Sequence, residues 1–411
     1  MLAFTFPGQG SQRPAMGAAW QDHPSWELVE DASDAADRDI AHLLLTAGAD
    51  ELRQTHNAQL ATFTLSLVAL DAVERLGLEP ACCAGHSLGE YTALVASGAI
   101  SFEEGVRLVA ERGEAMQHAA DERPGSMSAL LGLDDDAADA ACRRAEADVW
   151  VANYNAPGQV VIAGQKEDVD NASAVAKELG AKRAMPLPVG GAFHTPLMEP
   201  ARNRLRKALT ATTFRDPEVP VTANVDARPH CDGGEWPSLL SAQLCNPVRW
   251  RQTVAQLAGF GVTQVVEVGP GGVLTGLARR CAPDLQAVSV AAPQDLDDLV
   301  AILAGTSFRE YADTHQGEHL YISERLVLSP AAGLFTPIVV TTEAAAVEAT
   351  PTVVDVGAVD VAIDVGALIG NVGGAEVRSP FAGWLMGLLA VDGERVSVGQ
   401  PVAWLRATGV D

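Results

Sequence analysis

Ser87 stands in Gly85-His86-Ser87-Leu88-Gly89, directly after the apolar stretch 80–84 and directly before the helix-forming stretch 90–96. A strand, a G-x-S-x-G turn and a helix in that order describe a nucleophile elbow, a tight turn that lifts one hydroxyl above the edge of a sheet. The outer glycines suit it because a crowded turn leaves no room for side chains. An ordinary strand-to-helix turn with a capping serine uses similar residues, so the chemistry needs a second participant. A serine hydroxyl is a weak nucleophile and requires a base within hydrogen-bond reach. Of the nine histidines, His86 points away from Ser87 at such a turn and reads as structural support. His23, His42, His56, His118, His230, His315 and His319 lie in polar or helical surroundings. His194 stands apart in Gly190-Gly191-Ala192-Phe193-His194-Thr195-Pro196-Leu197. Glycines before it and a proline after it fit an active-site loop.

Positioning such a pair requires layered elements. Residues 1–124 alternate apolar runs with amphipathic stretches, as α/β layers do. The segment 125–192 has its own rhythm. Strands are expected at 127–131, 149–154, 159–163 and 183–188, and helices at 135–147 and 168–179, an order βαββαβ that predicts a ferredoxin-like subdomain. The larger α/β pattern resumes over 193–300. A small subdomain set into a larger core leaves a cleft suited to a substrate. Residues 301–323 read as a linker, with a helix at 301–314. From 324 to 411 short β-type runs are punctuated by glycine and proline. Leu328-Ser329-Pro330-Ala331-Ala332-Gly333 is echoed by Arg378-Ser379-Pro380-Phe381-Ala382-Gly383, and 365–370 by 398–403. This duplication predicts a small all-β domain of two similar halves.

With 411 residues the chain can hold two or three domains with real cores. Nearly half the residues are apolar, yet no apolar run reaches 18 residues and the start shows no basic leader. A soluble, cytoplasmic protein is expected. The net charge of −25 argues against nucleic acid and anionic membranes as partners. The six cysteines (82, 83, 142, 231, 245 and 281) show no metal-ligand spacing and read as reduced thiols.

Further stretches carry a resemblance. They are Phe6-Pro7-Gly8-Gln9-Gly10-Ser11-Gln12, Gly85-His86-Ser87-Leu88-Gly89-Glu90, Glu111-Arg112-Gly113 and Gly125-Ser126-Met127. Asn153-Tyr154-Asn155-Ala156-Pro157-Gly158-Gln159-Val160-Val161, Ala192-Phe193-His194, Gln243-Leu244-Cys245-Asn246-Pro247-Val248 and Glu267-Val268-Gly269-Pro270-Gly271 follow in order. Over residues 1–295 the chain resembles malonyl-CoA:acyl carrier protein transacylases and the acyltransferase domains of polyketide synthases. The resemblance implies a hydrolase-like α/β core and an S-malonyltransferase for fatty-acid or polyketide synthesis. In it Ser87 forms the acyl-enzyme ester, and His194 acts as general base and then general acid. No acidic third member stands out; the family orients its imidazole with an amide or carbonyl, and Gln243 matches that position. The oxyanion needs two N–H donors. Leu88 N–H follows from the elbow, and Gln9 N–H from the family match.

The same resemblance makes Arg112 the receptor of the malonyl carboxylate, which a guanidinium can hold through two parallel hydrogen bonds. Asn155 and Phe193 are expected to line the substrate site, and Phe193 with Leu88 matches malonyl-type rather than methylmalonyl-type patterns. No permanently bound cofactor is implied. Coenzyme A enters as substrate carrier, and phosphopantetheine arrives on the acyl carrier protein. That partner is usually acidic, so a chain at −25 needs local basic patches, which decide at a screening length of about 8 Å. Arg202, Arg204, Arg206 and Lys207 on one helix, and Arg279-Arg280, are the candidates.

Residues 324–408 resemble biotinyl/lipoyl-type domains, closely in Val377–Gly383, Asp392–Val396 and Val398–Pro401. Where that family presents its acceptor lysine, the chain reads Gly370-Asn371-Val372-Gly373-Gly374-Ala375-Glu376, and no lysine follows Lys207. Biotin or lipoate attachment needs an amine, so this domain is expected to serve docking, oligomerisation or spacing. Three alternatives stand beside malonyl transfer: a hydrolase that clears wrong acyl groups from carrier proteins, transfer of another dicarboxylic extender such as methylmalonyl, and a scaffold whose C-terminal module recruits partners.

Overall fold

The computed structural model describes residues 1–300, 302, 324–337, 361–363, 366–379, 383–390 and 393–406. The chain divides into two compact units, 1–307 and 308–411. The expected linker helix at 301–314 lies, apart from Ile302, outside the described residues.

The first unit opens on strand β1 (Leu2–Phe6), followed by α1 (Glu27–Ala36), α2 (Ile40–Leu45), α3 (Ala49–Arg53) and the long α4 (Thr55–Glu74). Strand β2 (Cys82–Gly85) runs into α5 (Gly89–Ala96), and α6 (Phe102–Glu122) follows. After an inserted segment come α9 (Glu199–Ala211), β7 (Val221–Thr222), β8 (Pro229–His230), α10 (Trp236–Gln243), α11 (Trp250–Gly259), β9 (Gln264–Val268), α12 (Val273–Cys281) and β10 (Gln286–Val290). These strands form one sheet in the order β10-β9-β1-β2-β7-β8, parallel except for the terminal β7–β8 pair.

Alternation along the central strands decides the layers. Phe4, Phe6, Cys83, Val266 and Val268 face one side, where α4 lies buried along nearly its whole length. Ala3, Cys82, Ala84, Val265 and Ala287 face the other side and meet Trp250, Val254, Leu274 and Leu277 of α11 and α12. A parallel sheet covered on both faces must be apolar on both. All six cysteines are free, and burial pushes the Cys82 thiol up to about 11. Among the described residues no helix is long and apolar enough to cross a membrane.

The inserted segment forms β3 (Ser126–Leu131), α7 (Asp135–Arg144), β4 (Val149–Ala156), β5 (Gln159–Gly164), α8 (Lys166–Glu178) and β6 (Arg183–Pro186). Its strands make an antiparallel sheet ordered β4-β5-β3-β6, with a separate core of Leu130, Val151, Val160, Ile162, Ala138 and Val169. Tyr154 N–H donates to Val248 O at 2.9 Å and Val248 N–H to Ala152 O at 2.9 Å, stitching β4 to the segment after α10. That seam fixes the small sheet over the C-terminal ends of β1 and β2.

In the second unit, β11 (Glu324–Leu328), β12 (Gly333–Pro337), β13 (Val361–Ile363), β14 (Leu368–Val372), β15 (Ala375–Arg378), β16 (Gly383–Leu388), β17 (Arg395–Val396) and β18 (Pro401–Arg406) build two four-stranded sheets. Their orders are β11-β18-β16-β13 and β15-β14-β12-β17, around Val327, Phe335, Ile369, Val377 and Val402. Val372 pairs with Ala375, so Gly373 and Gly374 are a two-residue hairpin turn, with φ of 56° and 91°. Such a turn requires positive φ at both positions, which glycine supplies.

Candidate active site

The β2–α5 turn is as tight as its glycines imply. A Cβ on Gly85 would stand 1.9 Å from the Gly89 carbonyl carbon, and one on Gly89 would stand 2.0 Å from Phe6 O. Ser87 between them has φ +52°, the left-handed region that an L side chain enters only under constraint. The constraint is visible. Ser87 N–H donates to Asn224 Oδ1 at 2.7 Å, while Asn224 Nδ2 donates to Gly85 O at 2.7 Å.

His194 lies beyond the inserted sheet, yet its Nε2 comes within 2.8 Å of Ser87 Oγ. Its own φ is +61°. Its Nδ1 meets the main-chain oxygen of Gln243 at 2.9 Å. Gln243 ends α10, and the last carbonyls of a helix lack intrahelical partners, so one is free to take the imidazole N–H. That bond fixes the tautomer: Nδ1 donates and Nε2 is left as acceptor for the serine proton. Burial first, then the Arg112 charge, hold the imidazole down to about 3, so it is neutral and basic in form at neutral pH.

Arg112 comes from the middle of α6 and is 1% exposed. Its Nη1 donates to Gln59 Oε1 at 2.6 Å, and its Nη2 donates to Gln243 Oε1 at 2.9 Å and to Ser87 Oγ at 3.2 Å. The guanidinium also lies 5.2 Å from the Tyr91 ring centroid. All three hydrogen-bond partners are neutral, and among the described residues no carboxylate lies in ion-pair contact with it. A buried cation without an anion is costly unless a ligand brings one.

Ser87 and His194 open into a cleft of about 250 Å³ between the two sheets, lined among others by Gln9, Met116, Met127, Asn155, Phe193 and Leu277. Among the described residues neither Gln9 N–H nor Leu88 N–H has a hydrogen-bond partner. Asn155 is in the wall, with its Oδ1 taken by His86 Nε2 at 2.9 Å. His86 thus supports the wall, edge-on to Trp250. Phe193 is 5% exposed, and a Cβ on Gly191 would strike its ring at 2.4 Å. A larger groove of about 520 Å³ lies between α9 and α10, but it brings together no nucleophile and base.

The basic residues are dispersed. Arg204 makes a bidentate pair with Glu111, at 2.6 and 3.0 Å, which cancels its charge locally. Arg279 donates to Ala287 O at 3.1 Å. Arg280 donates to Pro157 O at 2.8 Å and to the side chain of Gln159, a residue of the cleft wall. Sequence reasoning missed Gln59, Asn224 and Tyr91. Gln59 carried little signal, since α4 holds other polar residues, Asn57, Thr62, Thr64 and Ser66 among them, and Asn224, in an irregular segment, carried none.

The chain is similar to known proteins. Residues 3–317 match the acyl transferase domain family. The chain is 46% identical over 300 residues to the malonyl CoA-acyl carrier protein transacylase of Escherichia coli strain K12, covering 71% of this chain and 96% of that protein. An acyl-carrier-protein S-malonyltransferase structure from Burkholderia pseudomallei matches with a TM-score of 0.71 at 43% identity, covering 73% of this chain and 99% of that one. A malonyl-transacylase solved in complex with a type II PKS acyl-carrier protein matches with a TM-score of 0.71 at 39% identity, covering 73% and 99%. With so much of its length shared, the chain belongs to the acyl transferase family, among the malonyl CoA-acyl carrier protein transacylases.

Proposed function

We propose that the protein moves a malonyl group from malonyl-CoA to the phosphopantetheine thiol of an acyl carrier protein through a Ser87 ester. The observation that carries the acyl choice is Arg112: a buried guanidinium with only neutral partners, 3.2 Å from the nucleophile oxygen. Ser87 Oγ attacks the thioester carbonyl carbon as its proton passes to His194 Nε2. The tetrahedral oxyanion sits against Gln9 N–H and Leu88 N–H. The C–S bond breaks, and the coenzyme A sulfur takes the proton from His194. The Arg112 Nε–H, which has no partner among the described residues, is available to the malonyl carboxylate as it binds, and an Nη2 hydrogen is added once Oγ is acylated and becomes a poor acceptor. The carrier thiol then gives its proton to His194, attacks the ester, and Ser87 recovers the proton as it leaves. No cofactor takes part.

Phe193 fills the wall beside the acyl position and supports malonyl over methylmalonyl. A methyl is worth only about 1–3 kcal/mol, so some leakage is expected. Incubation with labelled malonyl-CoA, with and without carrier protein, tests the reading. The label should sit on Ser87 alone and pass to the carrier when it is added; release as free malonate instead would identify a hydrolase.

For carrier docking the exposed charge of Arg280 at the cleft rim is the better candidate, since Arg204 is neutralised by Glu111. Arg280→Glu should raise the carrier-protein KM about fivefold at low salt, within the range of an exposed ion pair, and leave malonyl loading of Ser87 unchanged. An unaltered KM would reject the site. The order βαββαβ over 125–192 supports a ferredoxin-like subdomain. The paired sheets of the second unit and its echoed strand junctions support a biotinyl/lipoyl-like module. With a glycine pair at its hairpin tip and no lysine after Lys207, this module carries neither biotin nor lipoate and serves protein contacts.

A further inference from the structure

Glu90, three residues past the nucleophile, is 1% exposed, and the reaction steps above make no use of it. Its Oε1 accepts the Asn224 N–H at 3.0 Å, and its Oε2 accepts from Gln243 Nε2. Both partners lead to the reacting groups. Asn224 clamps Ser87 N–H and Gly85 O. Gln243 Nε2 also donates to Ser87 O at 2.8 Å, while its Oε1 accepts from Arg112 Nη2.

An amide can be inserted either way round, and nothing in its own shape decides which end faces the guanidinium. Its three partners decide together: Arg112 offers only donors and takes the oxygen, while Ser87 O and the ionised Glu90 carboxylate each take one hydrogen of the NH2, so Glu90 holds the amide on the side away from the guanidinium. Burial raises the Glu90 carboxyl to about 7, opposed by the Asn224 and Gln243 hydrogen bonds and by the Arg112 charge. We infer that Glu90 is a positioning residue for acyl specificity: through the Gln243 amide it aims the Arg112 guanidinium at the acyl carboxylate. This rests on the malonyl reading of the site. His194 is held by the Gln243 main-chain oxygen rather than by its amide, so the imidazole keeps its place when the amide moves.

Glu90→Gln keeps the shape and removes one acceptor. Asn224 N–H and Gln243 Nε2 both need an acceptor there, and a glutamine has one oxygen. One of the two donors then loses its acceptor, so the Gln243 amide loses its hold on that side and no longer fixes the Arg112 guanidinium. The test is the single-turnover rate of Ser87 acylation by malonyl-CoA and by acetyl-CoA, followed by intact mass. E90Q should lose about ten- to a hundredfold with malonyl-CoA, keep the parent's slow acetyl rate, and melt a few degrees lower because a buried donor is left unpaired. In an Arg112→Ala background, E90Q should change neither rate further. Equal losses with both thioesters, or an undiminished E90Q effect without Arg112, overturn the inference. Glu90→Asp retains both acceptors and should hold the malonyl-to-acetyl ratio near the parent's. If E90Q does not fold, a folded E90D with a collapsed ratio overturns the inference by itself. A parent protein that loads acetyl as fast as malonyl overturns the malonyl reading, and this inference with it.

Discussion

Replacing His194 by alanine should lower Ser87 acylation by about a thousandfold, the middle of the range for a positioned general base. The loss follows from geometry: Ser87 Oγ then has no acceptor at the position that Nε2 now occupies at 2.8 Å. Fold stability should not suffer at acid pH. A buried imidazole held at about 3 binds fewer protons than the unfolded chain between pH 3 and about 6.5. Native His194 therefore costs stability as pH falls through the unfolded value, and the alanine variant is spared that cost. The same depression predicts the pH profile. In the free enzyme, kcat/KM for loading should show no limb from this histidine near pH 6.5. The bound malonyl carboxylate offsets the Arg112 charge, one of the causes of the depression, so the limb in kcat should lie above that in kcat/KM. A single limb near 6.5 in both that persists in E90Q would contradict the buried, arginine-facing placement of His194, since Glu90, raised to about 7, titrates close by.

Arg112→Ala should cost malonyl loading about 3–4 kcal/mol, several hundredfold in kcat/KM, because it leaves the substrate carboxylate desolvated and unpaired. The direction with an uncharged thioester is opposite. Removing a buried cation that repels nothing and attracts nothing in acetyl-CoA frees volume beside Ser87, so acetyl loading should hold or rise. Parallel assays with both thioesters check this, and unchanged malonyl kinetics would remove Arg112 from the site. The comparison separates charge recognition from general damage, since Arg112 also touches Ser87, Gln59 and Gln243.

Much of the local structure could be read from residue types. The Gly85–Gly89 turn had to follow a strand and precede a helix, because side chains at its outer positions collide with Gly89 and Phe6. The strands and helices of 125–192 come in the expected order, with ends shifted by a few residues, as at α7, which stops at Arg144. Apolar periodicity records which face is buried but only weakly where an element ends. Gln243 was identified by its family position, while the manner of its action was open. The structure gives its main-chain oxygen to His194 and its side chain to Arg112, Ser87 and Glu90.

What the order of residues determined alone is the chemistry available: one activatable hydroxyl at a turn only glycine permits, a histidine in a loop, an amine-free C-terminal module. These are properties of single residues and near neighbours, and sterics acts on them locally. The convergence of groups 25 to 156 positions apart was decided by tertiary structure. So was the sign of their effects, since a guanidinium in α6 is a solvated surface charge or a substrate receptor depending on whether water is excluded around it. Burial sums over every element packed against a site, and no short stretch of sequence contains that sum.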